Sequence, residues 1–199
     1  MRYTYTILTF CILFSSCKKD EFHNIPSSEY FPNTIGDYWR YKYFDSVANK
    51  SQFVDVNITG NATLPGGQNA SVWTYTFLDH VDTNFVYQVG DTIRFADRGA
   101  TVLHSYVVPL QLNNQWRTSP GYIYDTTQVI DNRTYNLNDQ NFNNSFLLFE
   151  NGWLPNDQWN RLEWFCPTIG MITKNERGML YITNQPSSVY WELVRYDLK

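Results

Sequence analysis

The chain of 199 residues holds no apolar run near the roughly 20 residues that cross a bilayer as a helix. No window of a dozen residues carries an apolar stripe at helical spacing. Residue types that carry chemistry are also sparse. Three histidines (His23, His80, His104) and three cysteines (Cys11, Cys17, Cys166) are too dispersed for a metal-ligand motif. Gly-x-Ser-x-Gly, a supported Ser-x-x-Lys and a glycine-rich phosphate loop are all missing. The expectation is therefore a protein that is not an enzyme and carries no cofactor. The 15 basic and 19 acidic residues give a net charge of −4, with the basic ones scattered, which excludes the electrostatic footprint of a nucleic-acid binder.

The amino terminus has the layout of a secretory signal. Met1-Arg2 supplies a short positive start, Ile7 to Phe14 an apolar stretch, and Ser15-Ser16 small residues at a cleavage position. Cleavage there removes Arg2 and takes the net charge to −5. Leu13-Phe14-Ser15-Ser16-Cys17 resembles the bacterial lipobox, in which the cysteine thiol is acylated and the signal is cut before it. Phe14 departs from the usual Leu, Val or Ile. The resemblance implies a lipoprotein lipidated at Cys17, anchored by the two or more acyl chains that stable membrane attachment requires. Lys18-Lys19-Asp20-Glu21 looks like the charged tag that sends some outer-membrane lipoproteins to the cell surface; the alternatives are the periplasmic face and a merely solvated tether. With Cys11 in the signal and Cys17 acylated, Cys166 in Trp164-Phe165-Cys166-Pro167 is left as a lone thiol in an apolar setting, read as buried and inert. The expected organisation is a signal over 1–16, a lipidated tether over 17–29 and one domain over 30–199.

Within that domain, apolar residues alternate. Trp39, Tyr41 and Tyr43 face one way against Arg40 and Lys42, and Val54, Val56 and Ile58 repeat the period of two that marks a half-buried strand. Asn84 to Val89 turns at Gly90-Asp91 into Thr92 to Ala96, and Arg98-Gly99 turns into Thr101 to Val108, closed by Pro109. Further strands are expected at 72–78, 121–124, 145–150, 170–174, 179–183 and 189–196. The polar tract Asn113 to Asn141 reads as long loops with one strand at most. About ten short strands with frequent turns predict an all-β fold: a single antiparallel, curved sheet, a half-barrel or a sandwich.

Tyr30-Phe31-Pro32-Asn33-Thr34-Ile35-Gly36-Asp37-Tyr38-Trp39-Arg40-Tyr41 resembles the opening of small, uncharacterised outer-membrane or cell-surface lipoproteins of diderm bacteria. Trp164 to Ile172 and the closing Trp191-Glu192-Leu193-Val194-Arg195-Tyr196 are similar to later segments of the same group, with Pro167-Thr168 standing where the group has a glycine and its neighbour. The resemblance implies a curved antiparallel sheet like that of periplasmic lipoprotein carriers, and it brings no catalytic residues. In structural terms, Pro32 and Gly36 set a bend before the first core strand.

Candidate binding residues are the tryptophans in polar settings, Trp116, Trp153 and Trp159, whose faces beside amide side chains suit sugar rings; the alternative is that they cover the ends of the core. Carboxylates Asp79, Asp82, Asp91, Asp97, Asp157 and Glu163 read as turn residues, and nothing in sequence pairs any two for glycoside chemistry. Asp55 falls on the solvent face of its strand. Asn136 to Asn141 has oxygens but lacks the glycine and closing glutamate of a calcium loop. Asp45-Ser46-Val47, Asp91-Thr92-Ile93 and Asp125-Thr126-Thr127 match a short O-glycan acceptor pattern of exported bacterial proteins. The reading is a lipid-anchored, non-enzymatic binding or interaction module of the cell envelope, with an envelope protein as partner. Its rivals are a carrier of a lipid or other apolar ligand in a concave sheet, and a carbohydrate-binding surface lipoprotein with a glycan partner.

Overall fold

A computed structural model describes residues 27–117, 124–154, 157–180 and 185–199. Cys17, His23 and the signal lie outside them. After one helical turn, α1 (Ser27–Tyr30), the described chain is built from strands: β1 (Tyr38–Asp45), β2 (Lys50–Thr63), β3 (Asn69–Thr76), β4 (Val81–Val89), β5 (Thr92–Ala96), β6 (Val102–Val107), β7 (Gln115–Trp116), β8 (Tyr124–Leu137), β9 (Gln140–Leu154), β10 (Asp157–Cys166), β11 (Gly170–Leu180) and β12 (Gln185–Asp197). All twelve form one antiparallel sheet in the order β6-β5-β4-β3-β2-β1-β12-β11-β10-β9-β8-β7. Every neighbour is also a sequence neighbour except β1 and β12, which zip the two ends of the domain together, Tyr38 opposite Asp197 and Asp45 opposite Val189. The sheet edges β6 and β7 therefore lie in mid-chain. They are joined where the Trp116 indole N–H donates to the Ser105 carbonyl at 2.9 Å, so the sheet is nearly closed into a barrel.

The alternation expected for β1 and β2 is present: Trp39, Tyr41, Val54, Val56 and Ile58 are buried and their neighbours face outward. The outer face is not merely solvated at Asp55. The Arg40 guanidinium forks onto its carboxylate and Tyr38 Oη donates to it, each at 2.6 Å.

Two expectations differ from the structure. The tract Asn113 to Asn141 holds most of a long hairpin, not loops. Asn138 and Asp139 both adopt positive φ at its tip, the backbone that a two-residue hairpin turn requires. Register shifts at Val129/Asp131 and Arg133/Tyr135 scramble the side-chain alternation, which hides β8 from a period-two reading. The other difference is β10, which the alternation of the sequence does not mark. Its inward side carries Arg161 and Glu163, so both of its faces look polar in sequence. Glu163 accordingly sits in a strand and is buried, not in a turn, and Asp82 in β4 and Asp157 in β10 are strand residues as well.

One end of the barrel is plugged by the segment before β1. Phe31 stacks on Phe165 (5.7 Å between centroids) and meets Trp73, Phe95 and Tyr106 at 5.5–5.7 Å. Trp39 stacks on Trp73 at 4.9 Å. The polar edges of these rings are satisfied locally: Trp39 Nε1 donates to Ile169 O, Trp73 Nε1 to Asn33 Oδ1, and Leu110 N to Tyr30 Oη. The buried Asp37 carboxylate accepts from Thr34 N and Lys199 N, both at 2.8 Å, which holds the bend at Gly36 (φ 95°) against the chain's end. Cys166 is buried, and its burial pushes the thiol pKa up.

Candidate functional site

Above the aromatic plug the interior is not filled. A cavity of about 520 Å³ extends from Phe31, Trp39 and Trp73 past Tyr41, Tyr75 and Trp191 to Phe77, Asp82, Thr83 and Leu103. Its exposed members, Asp82, Thr83 and Leu103, mark a mouth at the end opposite the plug, since β1 and β3 both run from the plug toward it. The volume falls within the roughly 300–1,000 Å³ of small-molecule sites, and the mix of aromatic wall with a few polar groups is typical of them.

The polar groups come from strands on opposite sides of the barrel. From β6, Tyr106 Oη donates to Glu163 Oε1 of β10 at 2.6 Å. Also from β6, His104 meets Arg161 of β10, with Nη2 2.5 Å from Nδ1. A guanidinium has no acceptor, so a ring nitrogen of His104 accepts from it; Nη2 is also 3.0 Å from Nε2, and Nδ1 lies 3.4 Å from Glu150 Oε2. Burial, and then the Arg161 charge, hold the His104 pKa below its ordinary value, in agreement with that geometry. Arg161 also donates from Nη2 to Glu150 Oε2 of β9, and its Nε lies 3.8 Å from Glu163 Oε2. Burial works to raise the Glu150 carboxyl; the His104 ring and the Arg161 charge overcome it and leave its pKa at about 2. Burial also works against the Arg161 charge, but Glu150 and Glu163 raise its pKa overall. Tyr41 and Tyr106 are pushed well above the ordinary phenol range by burial.

Lys174, from β11, differs from these. Its Nζ lies 4.9 Å from the Trp191 ring centroid, and it has no hydrogen-bond or ion-pair partner among the described residues. Burial, with the Arg161 charge, lowers its pKa more than Glu176, Glu163 and Glu150 raise it. It lies deep in the fold yet is only part-buried, as befits a group facing an internal void.

The tryptophans singled out in sequence are placed differently. Trp116 is part-buried in the edge-to-edge seam. Trp159 lies in β10 with its ring over Gly152, where a Cβ would collide with it, and its N–H points to Glu150 Oε1 at 3.5 Å. Neither lines the cavity; the side chain of Trp153 lies outside the described residues. The tryptophans that do line it, Trp39, Trp73 and Trp191, belong to alternating strands, where sequence gives a core residue and a cavity wall the same pattern. Arg161, Glu163 and Lys174 left a faint signal, charged residues at the inward positions of consecutive strands. Among the described residues no cluster of His, Cys, Asp or Glu could hold a metal ion. Asn136 Nδ2 instead donates across the hairpin to Asn141 Oδ1.

The fold and the void together define a nearly closed antiparallel barrel with a solvent-accessible interior. No family model and no curated protein matches the chain. Solved structures do. A candidate exported protein with a YmcC-like fold from Bacteroides fragilis shares 14% identity at a TM-score of 0.50. A candidate lipoprotein from Parabacteroides distasonis shares 14% identity at a TM-score of 0.51. In both cases the match spans 84% of this chain and 98% of the other. At this identity the likeness shows the fold.

Proposed function

We propose that the protein is a lipoprotein anchored through Cys17 in the outer membrane, at the cell surface, and that its barrel is a non-enzymatic carrier or receptor for a small, largely apolar ligand. The observation that carries the binding reading is the 520 Å³ void walled by Trp39, Trp73 and Trp191. Close packing leaves few voids larger than a water molecule in an ordinary core, so a space of this size in so aromatic an interior is suited to a guest. The anchoring reading rests on the short apolar stretch and Leu13-Phe14-Ser15-Ser16-Cys17. Two solved proteins of similar fold, one named as exported and one as a lipoprotein, are in keeping with it.

The non-enzymatic reading draws on the carboxylates. Glu150 and Glu163 converge on Arg161, and a Glu150 carboxyl with a pKa of about 2 is ionised at neutral pH, the opposite of the raised pKa that a general acid needs. Two measurements test the proposal. Metabolic labelling with an alkynyl palmitate should tag the wild-type protein and not Cys17→Ser; equal labelling contradicts the anchor. Native mass spectrometry of the full protein released from detergent should show a bound small-molecule mass lost on mild denaturation, and a uniformly ligand-free mass from its own membranes contradicts the carrier.

A further inference from the structure

Deepening the carrier reading and resting on it, we infer that the ligand is an anion: an apolar or aromatic body with one carboxylate-like group, which Lys174 receives inside the barrel. The inference comes from a difference among the interior charges. Arg161 is engaged by Glu150 and Glu163, and Glu163 is further held by Tyr106. These four side chains from three strands form one connected set, two carboxylates about a single guanidinium with the Tyr106 hydroxyl on Glu163. Lys174 is outside it. Its ammonium has the Trp191 face on one side at 4.9 Å and the cavity on the other.

An ammonium left without a hydrogen-bond acceptor deep in a fold is costly, and buried charges are ordinarily paired. Here no described side chain supplies the acceptor, while the cavity supplies room for one to be brought in. The three tryptophans and the Tyr41, Tyr75 and Phe95 rings would take the apolar body, and the carboxylate would accept from Lys174 Nζ. The carboxylates Glu176, Glu163 and Glu150 act on Lys174 through their charge, but none of them forms an ion pair with its Nζ, and Glu150 and Glu163 lie against Arg161. Asp82 at the mouth is exposed and screened by solvent.

The experiment uses the full protein in non-ionic detergent, titrated with pyrenebutanoate and with pyrenebutanamide, a pair matched in shape and different in charge. Binding is read as energy transfer from the cavity tryptophans to pyrene. The wild type should bind the acid about tenfold or more tightly than the amide, as a charge-assisted hydrogen bond in a part-buried site implies. In Lys174→Met the two affinities should become equal through loss of acid binding, with amide binding retained. Equal affinities in the wild type overturn the anion and leave the carrier standing. A preference that survives in Lys174→Met overturns the assignment to Lys174. Binding of neither probe overturns the carrier and the inference together. Lys174→Gln, tested in parallel, must lose the same preference, so that the outcome does not hinge on one variant folding.

Discussion

Replacing Lys174 by Met should make the protein more stable, not less. A pKa held below its ordinary value of 10.5 means that the fold disfavours the ammonium relative to water, even with the attraction of Glu176, Glu163 and Glu150 included. Removing the charge therefore relieves a net penalty at neutral pH. The side chain's reach is kept by methionine, so little packing is lost, and the forfeited cation–π contact with Trp191 is worth roughly 0.5–2 kcal/mol. Replacing buried ion pairs by well-packed apolar groups ranges from neutral to a gain of about 1–4 kcal/mol, which sets the scale for removing this one ammonium. The expected net gain is about 1–2 kcal/mol, or roughly 2–4 °C in Tm per kcal/mol for a chain of this size. Equilibrium urea unfolding of ligand-stripped protein, followed by tryptophan fluorescence, measures it. The sign also depends on pH. The unfolded chain holds the lysine proton to higher pH than the folded one, so wild-type stability gains on the variant as pH rises toward 10.5 and the difference closes. A loss of more than about 1 kcal/mol in Lys174→Met would refute the reasoning, since it would make Lys174 a structural partner of the carboxylates. A residue that costs stability while facing a void is what a binding role predicts.

The engaged cluster should behave in the opposite way. Arg161→Met leaves Glu150 and Glu163 uncompensated and should cost about 3–5 kcal/mol; adding Glu150→Gln should restore part of that, and strictly additive losses in urea unfolding would contradict the pairing. Acid should destabilise the fold in two stages. His104 is depressed in the folded state, so its contribution is intact above its unfolded value of 6.5 and is lost as pH falls below it. Glu150 follows between 4.5 and about 2, and His104→Gln should flatten only the upper stage in unfolding measured across pH. Phe31→Ala empties the centre of the aromatic plug and should cost about 3–5 kcal/mol; a change under 1 kcal/mol would show that the plug does not close the barrel.

The parts of the fold legible in sequence are those in which one face is apolar and the other wet. β1 and β2 alternate because the interior there is a packed aromatic and aliphatic wall, and the β4–β5 hairpin announces itself at Gly90-Asp91. Where the barrel's inside is charged, the same rule fails: Arg161 and Glu163 face inward, so β10 reads as polar on both sides. β8 is obscured by bulges that move successive residues to the wrong face. The cavity itself leaves almost no trace. Trp39, Trp73 and Trp191 look like core because they line the core side of their strands, and nothing local tells a wall from a filling. Conversely Trp116 and Trp159 looked like loop residues because amides surround them, yet one bridges the sheet edges and the other shields the Glu150 pair. What sequence did offer was an imbalance, more inward charges than an apolar core tolerates, which becomes interpretable only when the strands are placed around a common axis.

The most direct measurement is a high-resolution crystal structure of the protein isolated from the membranes of the organism that makes it. Continuous non-protein density between the Trp39, Trp73 and Trp191 rings, ending in a group within hydrogen-bonding distance of Lys174 Nζ, is the predicted result. An interior holding only ordered water, or side chains collapsed into the void with Lys174 paired to a carboxylate of its own chain, would contradict it.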